Sequence, residues 1–126
     1  MEGADIDVDL AWDVTTGSRD VVVAVIDSGI RYSHQELAAN MWTNAPEAGD
    51  PGNGIDDDGN GVVDDIHGFN AVLQNGDPLD VIDHGTNVAS VIGAAADNND
   101  VVGVAQEVSL MAIKACLLYT SDAADE

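Results

Sequence analysis

Two short strings in this chain carry residues that could transfer protons. Val25-Ile26-Asp27-Ser28-Gly29 places a carboxylate just before a glycine, and Asp83-His84-Gly85-Thr86 places an imidazole in a similar setting. An imidazole gains or loses a proton near neutral pH, and a carboxylate beside it is a common partner in acid–base catalysis. Asp27 and His84 are therefore the candidate catalytic residues.

The residues around both strings predict an α/β fold. An unbroken apolar run, 21–26, is typical of a strand buried on both faces of a parallel sheet, and Asp27 ends it. Ligands bind outside the carboxyl ends of such strands, which is where Asp27 would lie. We expect His84 to begin a helix over about 84–96 that packs on the sheet, and 107–114 to form a second strand.

The other segments serve mainly to connect these elements. An N-terminal arm, 1–20, precedes the first strand, and a turn with a short helix is expected at 33–40. The Gly-, Asp- and Asn-rich segment of about 43–80 is far longer than ordinary loops. A loop of that length is expected to be functional or ordered by a metal.

Three further segments lie before, between and after the elements that carry Asp27 and His84. Ala11–Gly17 precedes the first strand, Ser33–Leu37 follows Asp27, and Gly103–Ala115 follows the His84 helix. Together with the two strings, these segments resemble the subtilisin-like serine proteases (subtilases) from about residue 8 to residue 115. The catalytic triad of that family runs Asp, His, Ser along the chain.

This resemblance implies a three-layer, doubly wound fold with a mostly parallel sheet, and hydrolysis of protein or peptide substrates. His84 would act as general base, and Asp27 would hold the other ring nitrogen. No Gly-Thr-Ser-Met-Ala-like string for the nucleophile is present in the sequence, nor is the later oxyanion Asn. We therefore expect 1–115 to be the N-terminal part of a catalytic domain, inactive without the remainder of that domain.

The end of the chain departs from the family pattern. From Cys116 onward, 116–126 reads as a truncated or non-native tail. Cys116 is also the single cysteine, so no disulfide can form within the chain. Residues 1–5 lack the features of a signal peptide, and extracellular location is implied only by the family resemblance.

The charge of the chain limits its partners. Twenty-four acidic residues face three basic ones, Arg19, Arg31 and Lys114, which gives a formal net charge of −21. Such a surface repels phosphate, so neither nucleic acid nor an anionic membrane is expected as a partner. No apolar run is long enough to cross a bilayer. The remaining explanations are cation binding and a solvated acidic surface suited to high salt.

One acidic cluster favours cation binding. The segment 53–65 matches the opening of a calcium loop, D-x-[DN]-x-[DN]-G, and Gly61 permits its sharp turn. Calcium takes six to eight oxygen ligands, and close carboxylates repel one another without a cation. The alternative is a turn whose carboxylates only cap backbone amides. The predicted ligands of a structural calcium ion are Asp56, Asp58, Asn60, the Val62 carbonyl, Asp64 and Asp65.

The family resemblance implies a second, weaker calcium site between Glu36 and 97–101. Two functions of other classes also remain open at this stage. The acidic loop alone would suit a calcium-binding interaction module without catalytic activity. A doubly wound nucleotide- or sugar-binding domain would suit the strand followed by Gly29, although no G-x-G-x-x-G or Walker-type string follows that strand.

Overall fold

A computed structural model describes residues 6–97 and 100–116 of the chain. Within these ranges there are three α-helices: α1 (Val8–Trp12), α2 (Ala45–Ala48) and α3 (His84–Gly93). The strands are β1 (Gly17–Asp27), β2 (Gly68–Asn70) and β3 (Glu107–Lys114), and a 3-10 turn spans Ala38–Asn40. Among these residues no helix is both long and apolar enough to traverse a lipid bilayer.

The described strands form a parallel sheet in the order β1-β3-β2. β3 is central, and its residues pair in register with β1 from Val22↔Ser109 to Asp27↔Lys114. Because the strands are parallel, their carboxyl ends meet at one edge of the sheet, where Asp27 lies. The parallel arrangement and the strand at 107–114 confirm the sequence-based prediction.

The core lies on one face of this sheet. α3 packs there against β1 and β3, and the 3-10 turn packs against β3. Alternate residues of β3 point into this core, as expected when one face of a strand is buried. The buried apolar cluster consists of Val25, Ile30, Leu37, Met41, Ala89, Val108, Leu110 and Ala112.

The prediction that β1 is buried on both faces is wrong for the described residues. Val22 and Ile26 are 46% and 70% exposed, whereas Val25 is 4% exposed. Val22 and Ile26 project from the side opposite Val25, because side chains alternate along a strand. No described helix covers that side, so the apolar run of β1 faces open space there.

Several other boundaries also differ from the sequence-based prediction. The expected helix at 33–40 is reduced to the 3-10 turn, and α3 ends at Gly93 rather than near 96. Its C-terminal neighbour Ala94 is extended, which ends the helix. The long segment 43–80 contains α2 and β2. Of the predicted tail, only exposed Cys116 lies within the described residues, so that prediction remains open.

Candidate functional site

The two candidate catalytic side chains are in direct contact. Nδ1 of His84 lies 2.8 Å from Oδ1 and 2.9 Å from Oδ2 of Asp27. Asp27 ends β1 and His84 begins α3, so strand and helix bring together residues that are 57 positions apart. The Asp27 side chain is 18% exposed and that of His84 is 48% exposed. The imidazole is therefore held on one side and open to solvent on the other.

Close backbone approach makes this contact possible. A Cβ atom on Gly85 would lie 2.2 Å from the Gly29 carbonyl oxygen and 3.1 Å from the Asp27 Cβ. Only glycine therefore allows the start of α3 to approach the turn after β1. This explains in physical terms why a glycine follows His84.

The local environment keeps Asp27 ionised. Partial burial raises the pKa of Asp27, but the His84 ring, the Ser28 backbone N–H and the charge of His84 together lower that pKa below its usual value. The Ser28 amide donates to Asp27 Oδ1 at 2.6 Å. The carboxylate is therefore able to accept a hydrogen bond from Nδ1 at neutral pH.

A buried polar network, which the sequence did not reveal, lies behind the pair. Asp80 and Ser28 are 2% and 1% exposed, and the Ser28 hydroxyl donates to Asp80 Oδ1 at 3.0 Å. The Thr86 hydroxyl donates to Asp80 Oδ2 at 2.6 Å. The signal available in the sequence was weak: an aspartate just upstream of a helix start, which is a common capping pattern.

A second polar cluster forms between α2 and the acidic loop. One carboxylate oxygen each from Glu47, Asp58 and Asp65 lies within 4.8 Å of the others. Glu47 is fully buried, and its carboxylate accepts backbone N–H groups of Asp57, Asp58 and Asp64 at 2.7 to 3.2 Å. The loop therefore folds around a carboxylate contributed from outside it. Sequence reasoning missed Glu47, because no loop motif includes it.

Two amides join the carboxylates of this cluster. Asn44 donates through Nδ2 to both Asp58 and Asp65, at 2.8 Å in each case. Asn60 donates to the same two carboxylates at 3.1 and 3.0 Å. The hydrogen bond from Asn44 is the main cause of a lowered Asp58 pKa. Two of the predicted calcium ligands, Asp58 and Asp65, therefore meet with Asn60 between them.

The other predicted ligands have different contacts. Both oxygens of Asp56 accept backbone amides, from residues 59, 60 and 61 at 2.8 to 3.1 Å. Asp64 accepts the amides of Gly52 and Gly54. The Val62 amide donates to Asn60 Oδ1 at 2.7 Å. Asp56 and Asp64 thus behave as the turn-capping alternative predicts, while Asp58 and Asp65 join the carboxylate cluster.

The residues of the implied second calcium site are only partly described. Glu36 is buried, and its backbone carbonyl accepts the Ala95 amide at 2.8 Å. This contact places the turn after β1 beside the segment that follows α3. Residues 98 and 99 lie outside the described residues, so the second site remains a prediction.

A family model described as the subtilase family matches residues 18–126. The chain belongs to the subtilase family. This membership supports a serine protease function and agrees with the observed α/β fold.

Individual relatives agree with this assignment. The chain is 43% identical over 104 residues to subtilisin-like protease 1 of Plasmodium berghei (strain Anka), covering 81% of the chain and 17% of that protein. It is 36% identical over 93 residues to the halolysin-like extracellular serine protease Nep of Natrialba magadii, covering 71% of the chain and 14% of that protein. The chain thus spans less than a fifth of either subtilase.

A solved structure has a similar fold. The crystal structure of the Aeromonas sobria serine protease in complex with its chaperone matches with a TM-score of 0.54 and 24% identity. The match covers 79% of this chain and 13% of that one. At this identity the likeness concerns the fold alone. The parallel sheet with helices is therefore that of a subtilisin-like α/β domain.

Proposed function

We propose that this chain supplies the Asp and His members of an Asp-His-Ser triad in a serine endopeptidase. The observation that carries the proposal is the contact of His84 Nδ1 with both oxygens of Asp27, at 2.8 and 2.9 Å. Carboxylate on one ring nitrogen and solvent on the other side is the arrangement that a general base requires. Subtilase membership supports the same assignment.

The geometry gives each residue a distinct role. Nδ1 of His84 contacts Asp27, and Nε2 would take the proton of an attacking serine hydroxyl and later return it to the leaving amine. Asp27 fixes the ring tautomer and stabilises the imidazolium that forms after proton transfer. Because Asp27 is ionised, it can do both at neutral pH.

The serine and the oxyanion Asn would come from the remainder of the same catalytic domain. We assign 1–115 to the N-terminal part of that domain. The protein that contains the whole catalytic domain is called the complete protease below. Without a nucleophile, this chain alone should not hydrolyse peptides. Its substrates in the complete protease would be proteins or peptides.

We also propose that the loop binds a structural calcium ion. The carboxylates of Glu47, Asp58 and Asp65 form an oxygen-only donor set, which is the chemistry that calcium prefers. Three carboxylates this close repel one another unless their charge is offset by a cation or by donors such as the amides of Asn44 and Asn60. When bound, calcium would supply charge neutralisation, and Glu47 would anchor the loop through three backbone amides.

An extracellular location is the last part of the proposal. The related protease from Natrialba magadii is named an extracellular serine protease. Calcium is abundant outside cells, and the absence of an intrachain disulfide does not conflict with a calcium-stabilised secreted enzyme. The high negative charge supports solubility in the salty surroundings in which such an enzyme would work.

Peptide hydrolysis by the complete protease tests the catalytic assignment. We expect His84→Ala to abolish hydrolysis and labelling by a fluorophosphonate probe, because the serine then lacks its base. His34→Ala is the matched control, because His34 is exposed and its ring nitrogen Nδ1 accepts the turn amide of Glu36. Labelling of Ser28 or Ser90 in this chain alone would contradict the proposal.

A further inference from the structure

Asp80 is the most highly coordinated buried carboxylate next to the candidate triad residues. It is 2% exposed, and its two oxygens accept five hydrogen bonds. Oδ1 accepts the Ser28 hydroxyl and the amides of Ile82 and Asp83, at 3.0 to 3.1 Å. Oδ2 accepts the amide and the hydroxyl of Thr86, at 3.0 and 2.6 Å. A buried charge is tolerated only when it is satisfied in this way.

These bonds connect the two segments that carry the catalytic pair. Ser28 follows Asp27 in the chain, and its amide donates to the Asp27 carboxylate. Its hydroxyl donates to Asp80 and accepts the amide of Gly85, the residue after His84, at 2.9 Å. Asp80 is therefore bonded to the turn that orients Asp27 and to the first turn of the helix that carries His84.

Thr86 strengthens the connection from the helix side. Its hydroxyl donates to Asp80 and also accepts the backbone amide of Arg31 at 3.0 Å. One hydroxyl thus joins Asp80, the first turn of α3 and the segment after β1. Hydrogen bonds to an ionised acceptor are about twice as strong as neutral ones, so loss of the charge would weaken the whole network.

The ionisation state of Asp80 agrees with this arrangement. Burial raises the pKa of Asp80, but the hydrogen bonds from Thr86, Ile82 and Ser28 lower it below its usual value overall. The ionised carboxylate thus accepts a hydrogen bond from each of its five donors. An asparagine has almost the same shape, but it offers one oxygen and would point an NH₂ group at donors.

The backbone around Asp80 is held independently of its carboxylate. The Pro78 carbonyl accepts the Ile30 amide at 3.1 Å, and the Leu79 carbonyl accepts Nζ of Lys114 at 2.6 Å. The Asp80 amide donates to the Ile30 carbonyl at 3.4 Å. The segment that carries Asp80 should therefore stay in place when only its side chain is changed.

We propose that Asp80 is a positioning residue that keeps Asp27 and His84 in contact by fixing Ser28 and the first turn of α3. The inference rests on the proposed function, because positioning matters for rate only if the pair is catalytic. It adds a residue that does not touch the reacting atoms. Asp80 acts through its hydrogen bonds alone.

Steady-state kinetics of the complete protease test this role. We expect Asp80→Asn to lower kcat per titrated active site by about 10- to 100-fold with KM nearly unchanged, because a small misplacement slows proton transfer. The acid limb of the kcat/KM profile should also move to lower pH, because a displaced Asp27 stabilises the imidazolium less. Asp77→Asn is the matched control: Asp77 lies on the same segment and is exposed, and one carboxylate oxygen, Oδ1, accepts the Tyr32 hydroxyl and the Leu79 amide, so that an asparagine oxygen can replace it.

A second pair of variants covers the case in which Asp80→Asn does not fold. Thr86→Val removes the hydroxyl at nearly constant shape, and Thr86→Ser keeps it. We expect Thr86→Val to move the acid limb in the same direction as Asp80→Asn, and Thr86→Ser to restore the wild-type profile. An acid limb that stays in place in Thr86→Val, and in Asp80→Asn if that variant folds, with only the number of titrated sites reduced, would overturn the inference.

A readout independent of activity separates this inference from the proposed function. The Nδ1 proton of His84 should give a low-field NMR resonance that is lost or moved in Asp80→Asn and Thr86→Val. Thr86→Ser and Asp77→Asn should retain it. If the wild-type protease proves inactive, the proposed function fails, while this resonance still decides the positioning role: an unchanged signal in Asp80→Asn and Thr86→Val would overturn it.

Discussion

At the scale of single residues, the geometry of the candidate catalytic pair depends on how Asp27 is held. Its carboxylate contacts the His84 ring through both oxygens and accepts the Ser28 amide, so it has little rotational freedom. The contact between Asp27 and His84 could be predicted from the sequence, because each lies in a short string with a glycine that permits close backbone approach. The roles of Asp80 and Glu47 could not, because most of their partners are backbone amides, and whether an amide points at a carboxylate depends on the fold.

The lowered pKa of Asp27 gives a prediction about stability and pH. A carboxyl group whose folded-state pKa lies below its ordinary value of 3.8 stabilises the fold at higher pH. That contribution is lost as pH falls through the folded-state pKa. The difference in melting temperature between wild type and Asp27→Asn, measured on the inhibited complete protease, should thus be larger at about pH 5 than at about pH 2.5. A separation independent of pH would contradict this.

At the scale of secondary-structure elements, the strand β1 was predictable from its sequence, but the burial of its two faces was not. The apolar run 21–26 correctly predicted a strand in a parallel sheet, because β-branched residues favour extended structure. Burial on both faces did not follow, because it depends on which other elements lie across the sheet. The same limit applies to 43–80, where Glu47 on α2 accepts three backbone amides of the acidic loop although no loop motif includes it.

The calcium proposal is tested at this scale, because the ion would join α2 to the loop. Calcium at about 100 times its Kd should stabilise the complete protease by about 2.7 kcal/mol, and Asp58→Asn should remove most of that gain. The control is Asp57→Asn, which makes the same charge change beside the cluster, where the Asp57 carboxylate contacts Asn53. Calorimetry with and without a chelator measures both variants.

Two results would oppose the calcium proposal. An unchanged melting temperature of the wild-type protease in millimolar calcium would return the loop to the turn-capping interpretation. Equal losses in Asp58→Asn and Asp57→Asn would show a general charge effect instead of a site. Asp56→Asn adds a finer distinction, since its carboxylate caps the amides of residues 59 to 61 and its loss should loosen the loop even without calcium.

At the scale of the whole molecule, the large negative net charge is the property that most affects stability in solution. A formal charge of −21 on 126 residues creates self-repulsion that salt can screen. The composition predicted this property directly, because it needs no knowledge of the fold. The sheet order and the open face of β1 were not predictable in the same way, because they depend on contacts between distant segments.

Salt should therefore stabilise this chain. We expect its melting temperature, followed by circular dichroism in constant calcium, to rise by about 5 °C between about 0.05 and 1 M sodium chloride. Sodium nitrate at equal ionic strength, which leaves calcium in solution, controls for effects specific to chloride. A melting temperature that falls with salt would show that attractive ion pairs, such as Arg31–Asp83, outweigh the repulsion.

The most direct test of the central claim is the rate at which a fluorophosphonate labels the complete protease when Asp27 is changed. If Asp27 holds His84 in the catalytic tautomer, Asp27→Asn should lower the second-order rate constant by about 10⁴-fold. Asp20→Asn, the same change at an exposed position of β1, should react like wild type. A rate constant for Asp27→Asn within about tenfold of wild type would contradict the assignment of Asp27 and His84 as triad members.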